Sequence, residues 1–341
     1  MSMRTARRPI VTALVALALV GTTAACAPEP TTHLLTGAAG VGSTAQGSTQ
    51  ESAPEAATGG AVPSTATAAQ DCSDGRPAVA SMAPGGSPEV TSGSTMAAIR
   101  ERGALEVGVS ADTLLMGSRN PFTGDIEGFD IDVARQIADA ILGDPDKIRF
   151  RVITSGDRET VLADHEVDIV TRAFTINCDR WENIAFSAEY YHAGQKLLVP
   201  STSEVTGIED LAGQRVCAPE GTTTLERLGE WEGVEAVPAA THTTCLVLFQ
   251  QGEVDAITGD DTVLAGFAAQ DPYAKVVGDA VSDEPYGVGI PSDQPDMVRF
   301  VNGVLEDMVS DGRWEESYDR WLGGALGPAP AAPTPVYGRT P

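Results

Sequence analysis

No Phe, Trp or Tyr precedes Phe122, so all eight Phe, four Trp and six Tyr lie in the last two thirds of a 341-residue chain. Aromatic side chains supply much of the buried area of a core, which places the folded body in that part. Basic residues are scarce too. Lys and Arg number 22 against 48 Asp and Glu, a formal charge of −26, and a polyanion of this size repels the phosphate backbones that Lys and Arg would have to neutralise. Nucleic acid is excluded as a partner. Catalytic signatures are also missing: there is no P-loop, no Gly-x-Ser-x-Gly, no His-Glu-x-x-His and no close cysteine pair for zinc. Of the four histidines, His33 precedes the body, His165 falls in a turn and His192 sits beside tyrosines. His242 is the exception, because with Thr243 and Thr244 it opens a helical stretch. The expectation is a protein that is not an enzyme and needs no cofactor or metal. The apolar share of 42% and charged share of 21% are globular values.

Five cysteines are an odd number, and the N-terminus accounts for one of them. Arg4, Arg7 and Arg8 precede an apolar run from Ile10 to Val20, and Thr23-Ala24-Ala25-Cys26 closes the segment. Such a run rises about 16 Å as a helix, short of a bilayer core of about 30 Å. It reads as an export signal over residues 1–25. Small residues before cysteine resemble a bacterial lipobox, in which Cys26 is lipidated and becomes the new N-terminus; Thr23 departs from the aliphatic residue usual there. The alternative is plain cleavage after Ala25. Lipidation leaves Cys72, Cys178, Cys217 and Cys245 as an even set in an oxidising compartment, where three pairings are possible. Cleavage removes three arginines and no acid, so the charge moves from −26 to −29.

From Ala27 to about Ser94 the chain is Ala, Gly, Ser, Thr and Pro without hydrophobic periodicity. Residues 26–94 are therefore expected to form a flexible tether, with an end-to-end distance of about 45 Å. Cys72 implies that its far end is pinned to the body. The Pro-rich tail, 326–341, reads as an extended strap.

The body alternates strands with amphipathic helices, which means α/β. Leu105–Val109 reads as a strand; Val133, Ile137 and Ile141 form one helical face that stops at Gly143. A local unit occurs twice. Glu166-Val167-Asp168-Ile169-Val170-Thr171 and Glu253-Val254-Asp255-Ala256-Ile257-Thr258 each follow a helix end and read as a buried strand, as two related lobes would have. Ligands of open α/β sheets sit beyond the carboxyl ends of strands. Arg172, Thr175 and Arg180 follow the first unit, and Asp260 and Asp261 the second.

A free amino acid needs a bidentate donor for its α-carboxylate, an anion for its α-ammonium and groups matched to its side chain. Arg180 offers the planar fork and Asp260 the anion. Arg158 and Arg172 stand out because an anion approaching so acidic a chain must be captured by local positive potential. Thr222, Thr223 and Thr224 begin a helix whose N–H groups and hydroxyls can also hold a carboxylate.

Gly128-Phe129-Asp130-Ile131-Asp132, Asp168-Ile169-Val170, Thr175-Ile176-Asn177-Cys178-Asp179-Arg180, Phe186-Ser187-x-x-Tyr190-Tyr191, Asp210-Leu211-Ala212-Gly213 and Gly259-Asp260-Asp261 together resemble family 3 of bacterial extracellular solute-binding proteins. The resemblance covers about 95–325, and within the family is strongest to the GlnH-type glutamate/glutamine-binding lipoproteins of actinobacteria. It implies a two-lobed periplasmic-binding-protein-like (type II) fold with two hinge strands. Lobe 1 would be 95–187 plus 286–325, and lobe 2 would be 188–285. That division implies the disulfides Cys217–Cys245, within lobe 2, and Cys72–Cys178.

The resemblance also carries site roles. It assigns Arg180, Thr175 and Thr223 to the ligand α-carboxylate and Asp260 to the α-ammonium. Ser155 and Arg158 resemble the pair that meets the side-chain carboxylate in glutamate/aspartate binders, and His242 a histidine that reads the side chain. Ser110 departs from an arginine found in some of them, for which Arg172 would compensate. The implied protein is a monomer, lipid-anchored on the outer face of the cytoplasmic membrane, that closes on glutamate or aspartate, with asparagine and glutamine as lesser ligands, for an ABC importer. Two alternatives are a lipoprotein that signals to a membrane sensor and, remotely, an enzyme like cyclohexadienyl dehydratase.

Overall fold

The computed structural model describes residues 71–341; the export segment, Cys26 and the expected tether up to residue 70 lie outside the described residues. The first helix, α1 (Thr95–Arg102), starts at Ser94, whose hydroxyl accepts from the N–H of Ala97, and stops at Gly103 in the left-handed conformation. Next come β1 (Leu105–Val109) and a small antiparallel ribbon of β2 (Asp112–Thr113), β3 (Gly117–Arg119) and β4 (Ile126–Glu127). Helix α2 (Phe129–Leu142) buries Val133, Ile137 and Ile141 along one face and ends at Gly143, as the periodicity predicts. The residue before it must be glycine. Gly128 has φ 142°, and a Cβ there would lie 2.3 Å from the Met116 carbonyl oxygen.

The chain continues through β5 (Ile148–Val152), α3 (Arg158–Ala163), β6 (Ile169–Val170), α4 (Cys178–Trp181) and β7 (Ile184–Phe186). It then runs through β8 (Tyr191–Pro200), β9 (Arg215–Pro219), α5 (Thr223–Leu228), β10 (Glu235–Ala239), α6 (His242–Gln250), β11 (Ala256–Asp260), α7 (Asp261–Gln270), β12 (Ala274–Val277) and β13 (Asp283–Tyr286). Last come β14 (Gly289–Pro291), α8 (Pro295–Ser310), α9 (Arg313–Trp321) and α10 (Gly323–Leu326).

Two main sheets result. The first has the order β5-β1-β6-β14-β7 and the second β10-β9-β11-β8-β12, with β13 also paired to β8. The repeated sequence unit supplies β6 in the first sheet and β11 in the second, each parallel to an earlier strand, β1 or β9. The chain crosses between sheets twice. Ser187 N–H donates to the Val288 carbonyl (3.0 Å) and Tyr190 N–H to the Tyr286 carbonyl (2.8 Å), so the two crossings run side by side. These are the two hinge strands of a type II binding-protein fold.

Each sheet has its own core. Phe129, Tyr190, Tyr191, Tyr286 and Trp314 belong to the larger one, beside the first sheet, whereas Leu198, Val263, Leu264 and Phe267 pack with the half-cystines Cys217 and Cys245 against the second. The disulfides are Cys72–Cys178 and Cys217–Cys245.

The structure shortens the stretch expected to be a flexible tether, because from residue 71 the chain packs on the body. Ala80, Ser81 and Met82 are buried. Ser81 Oγ donates to the Phe186 carbonyl at 2.8 Å, while Asn302 Nδ2 donates to Ser81 Oγ (2.9 Å) and to the Met82 carbonyl (2.7 Å). Beside the burial of Met82 in the larger core, this ordering uses side-chain and backbone hydrogen bonds, and no helical or strand periodicity signals it. The tail returns to the same place: Tyr337 pairs with Ser81, and the Arg339 guanidinium lies 4.1 Å over the Trp181 ring.

Candidate functional site

Beyond β6 the backbone turns sharply. Ala173 has φ 41°, in the left-handed region that costs a residue with a Cβ some strain, and its N–H donates to Asp130 Oδ2 at 2.8 Å. This turn presents Arg172, Phe174 and Thr175, and α4 then brings Arg180 back beside them. The Arg158 and Arg180 guanidinium carbons lie 4.4 and 4.9 Å from the centroid of the Phe174 ring, which attracts both cations and helps keep them close.

All three arginines are buried. Arg158, the first residue of α3, donates through Nε to the Ser155 carbonyl (2.8 Å) and through Nη1 to the Ala173 carbonyl (2.9 Å). Arg180 Nη1 donates to the Thr175 carbonyl at 2.6 Å. Arg172 donates through Nε to the Ile153 carbonyl (2.9 Å) and through Nη1 to Ser155 Oγ (2.6 Å). Burial pushes the pKa of each downward. An arginine starts so high that all three stay charged at neutral pH, leaving concentrated positive potential inside an acidic chain.

The second lobe meets this cluster at Gly221. Its carbonyl accepts from Arg158 Nη2 at 2.8 Å and from Arg180 Nη2 at 3.3 Å. A Cβ on Gly221 would lie 2.6 Å from the Cα of Gly156, so only glycine allows this approach of the two lobes. The hydroxyl of Thr222 caps α5, and Thr223 is the first residue of that helix. His242 opens α6 and is buried, with Nδ1 lacking a hydrogen-bond partner. Burial first, and then the Arg172 charge, drive its pKa down to about 3, so the imidazole is neutral. Thr243 Oγ1 donates across the cleft to the Asp112 carbonyl at 3.3 Å.

Asp260 ends β11 in the N-cap position of α7, yet its carboxylate makes no capping bond. It accepts instead from the Tyr286 hydroxyl at 2.6 Å. Burial, then the neighbouring Glu284 charge, raise its pKa well above the ordinary carboxylate value. An arriving ammonium would relieve that condition by supplying the missing counter-charge. The structure thus gathers the eight residues assigned to the ligand around one cleft: Ser155, Arg158, Arg172, Thr175 and Arg180 from the first lobe, and Thr223, His242 and Asp260 from the second, with His242 and Asp260 linked to the arginines by charge rather than by hydrogen bonds. A cavity of about 460 Å³ opens at its edge, lined by Thr175, Thr223, Glu226, Ser282 and Glu284 among others. Among the described residues no group of three or more His, Cys, Asp and Glu could hold a metal ion.

Residues 105–324 match the family of bacterial extracellular solute-binding proteins, family 3. The chain belongs to this family. It is 36% identical over 230 residues to the ABC transporter glutamine-binding protein GlnH of Bacillus subtilis, covering 67% of this chain and 84% of that protein. To the glutamate-binding protein GluB of Corynebacterium glutamicum it is 31% identical over 236 residues, 65% of this chain and 80% of the relative. Among solved structures, an ancestral arginine-binding protein bound to glutamine is similar with a TM-score of 0.61 and 29% identity, covering 65% of this chain and 99% of that one. A solute receptor for L-cysteine of Neisseria gonorrhoeae is similar with a TM-score of 0.65 and 25% identity, covering 69% and 95%.

The site of this family 3 protein also contains acids that sequence reasoning missed. Asp130 sits within the family motif at the start of α2. It accepts from the Tyr190 hydroxyl (2.6 Å) as well as from Ala173, and burial lifts its pKa to about 6. Glu284, in β13 just before the second crossing, is 1% exposed and accepts from Thr175, Thr223 and Ser282. An acid flanked by Asp283 and Pro285 carries no periodic signal. Its burial follows from the pairing of β13 with β8 on one side and with the Thr175–Ile176 segment on the other.

Proposed function

We propose that this protein is an extracytoplasmic, lipid-anchored receptor for acidic amino acids, and that it closes on glutamate or aspartate and delivers it to an ABC importer. Amino-acid binding and delivery are supported by family membership and by the names of the relatives, glutamine-binding GlnH of an ABC transporter and glutamate-binding GluB. Arg180, with Thr175 and Thr223, receives the α-carboxylate, and Asp260 the α-ammonium. Because these groups come from both lobes, the ligand favours the closed arrangement through contacts available only there.

The observation that carries the acidic preference is the pairing of Arg172 with Ser155 beside Arg158 and a neutral His242 with an unpartnered Nδ1. Guanidinium groups only donate, the serine hydroxyl can donate, and a neutral imidazole can supply one donor. A side-chain carboxylate satisfies such donors with two acceptor oxygens. An amide presents one oxygen and two N–H groups that would face cations, a mismatch expected to cost more than tenfold in affinity. Calorimetric titration should therefore give L-glutamate or L-aspartate the lower Kd, and L-glutamine bound more tightly than both would overturn the acidic reading.

Anchoring rests on Cys26 at the end of the export segment. Changing Cys26→Ala should move the protein from the membrane fraction to the soluble one, and unchanged fractionation would remove lipidation from the account.

A further inference from the structure

The groups assigned to the ligand α-carboxylate already hold a carboxylate of the protein itself. Glu284 Oε2 accepts from Thr175 Oγ1 at 2.8 Å and from Thr223 Oγ1 at 2.6 Å, while Oε1 accepts from Ser282 Oγ at 2.7 Å. Thr175 precedes α4 on the first lobe and Thr223 opens α5 on the second, so one oxygen joins hydroxyls across the cleft. Arg180, the third member of the set, lies within electrostatic reach of Glu284.

We propose that Glu284 is a resident competitor, an internal stand-in for the ligand α-carboxylate that must release Thr175 and Thr223 before an amino acid can engage them. The inference rests on the assignment of those two threonines to the α-carboxylate.

Two features favour competition over a role in holding the ammonium. Both oxygens of Glu284 are engaged by hydroxyl donors, three in all. Asp260, in contrast, has Tyr286 on Oδ2 and is left short of counter-charge by its burial and by Glu284 itself. The anion better suited to an ammonium is Asp260, and the charge on Glu284 works against its ionisation.

The position of Glu284 also makes its effect the same for every ligand. Every α-amino acid brings the same α-carboxylate, so the competition lowers all their affinities together and leaves the ranking to the Ser155, Arg172 and His242 side. The two threonine hydrogen bonds to Glu284 must be given up before the ligand can take them, which lowers affinity by the corresponding factor.

The test compares wild type with Glu284→Gln by calorimetric titration of L-glutamate and L-glutamine. The amide keeps the shape and removes the charge, and both ligands should bind on the order of tenfold more tightly. Ser282→Ala, which loosens Glu284 without touching either threonine, should shift both the same way by less and covers the case in which Glu284→Gln does not fold. Unchanged or weaker binding of both ligands in the folded variants would overturn the inference. A wild type that prefers glutamine defeats only the acidic reading, because the ratio of variant to wild type still decides the role of Glu284. A wild type that binds neither ligand removes both.

Discussion

Replacing Arg180 with alanine is expected to weaken L-glutamate binding by on the order of a hundredfold or more, the largest single loss in the site. The guanidinium is buried, its Nη1 is fixed on the Thr175 carbonyl, and its Nη2 reaches toward Gly221 of the other lobe. Removing it strands a ligand carboxylate in a buried cleft. A buried ion that loses its partner costs about 3 kcal/mol or more, and each 1.4 kcal/mol is tenfold in Kd. Lysine should recover only part of the loss, since a point charge cannot reproduce the fork that spans Thr175 and Gly221. Titration of both variants checks this; alanine within threefold of wild type would take Arg180 out of the site.

Loss of the Cys72–Cys178 disulfide should have the largest effect on stability. It joins residues 106 apart, whereas Cys217–Cys245 joins residues 28 apart. Closing loops of those lengths in the unfolded chain corresponds to about 4.7 and about 3.5 kcal/mol respectively on a chain-entropy model. The longer bridge has a second effect, because Cys178 is the first residue of α4 and stands two positions before Arg180. A Cys72→Ser, Cys178→Ser double variant should therefore unfold at a clearly lower urea midpoint and also bind ligand more weakly. Removing the shorter bridge should lower the midpoint less and leave affinity closer to wild type. Equal midpoints for wild type and the first double variant would defeat the loop-closure argument.

Much of this site was legible in the sequence, for identifiable reasons. The spacing of Val133, Ile137 and Ile141 fixes the face of α2, and Gly143 its end. The duplicated strand unit locates β6 and β11, and the rule that ligands gather at strand ends leads from there to Arg172, Thr175, Arg180 and Asp260. Other features depend on neighbours remote in sequence. Phe174 supports two arginines only because α3 and α4 converge on it, and Glu284 lies in the cleft because β13 pairs with β8 and with the segment at Thr175. Residues 71–94 escaped for a different reason. Their order comes from Asn302, Phe186, a cysteine in another element and one residue of the larger core, Met82, while their own composition is that of a linker.

The attachment at Cys72 has a mechanical consequence. A pull along the N-terminal chain enters the first lobe at α4 through a covalent bond and spreads into β7 and α8 by way of Ser81 and Asn302. That path reaches the hinge crossing at 187–191, because Asn302 Oδ1 also accepts from the Ala188 N–H at 2.7 Å. Tension on the chain would therefore bear on the helix that carries Arg180 and on the hinge at Ala188, the two places where the first lobe meets the ligand and the other lobe.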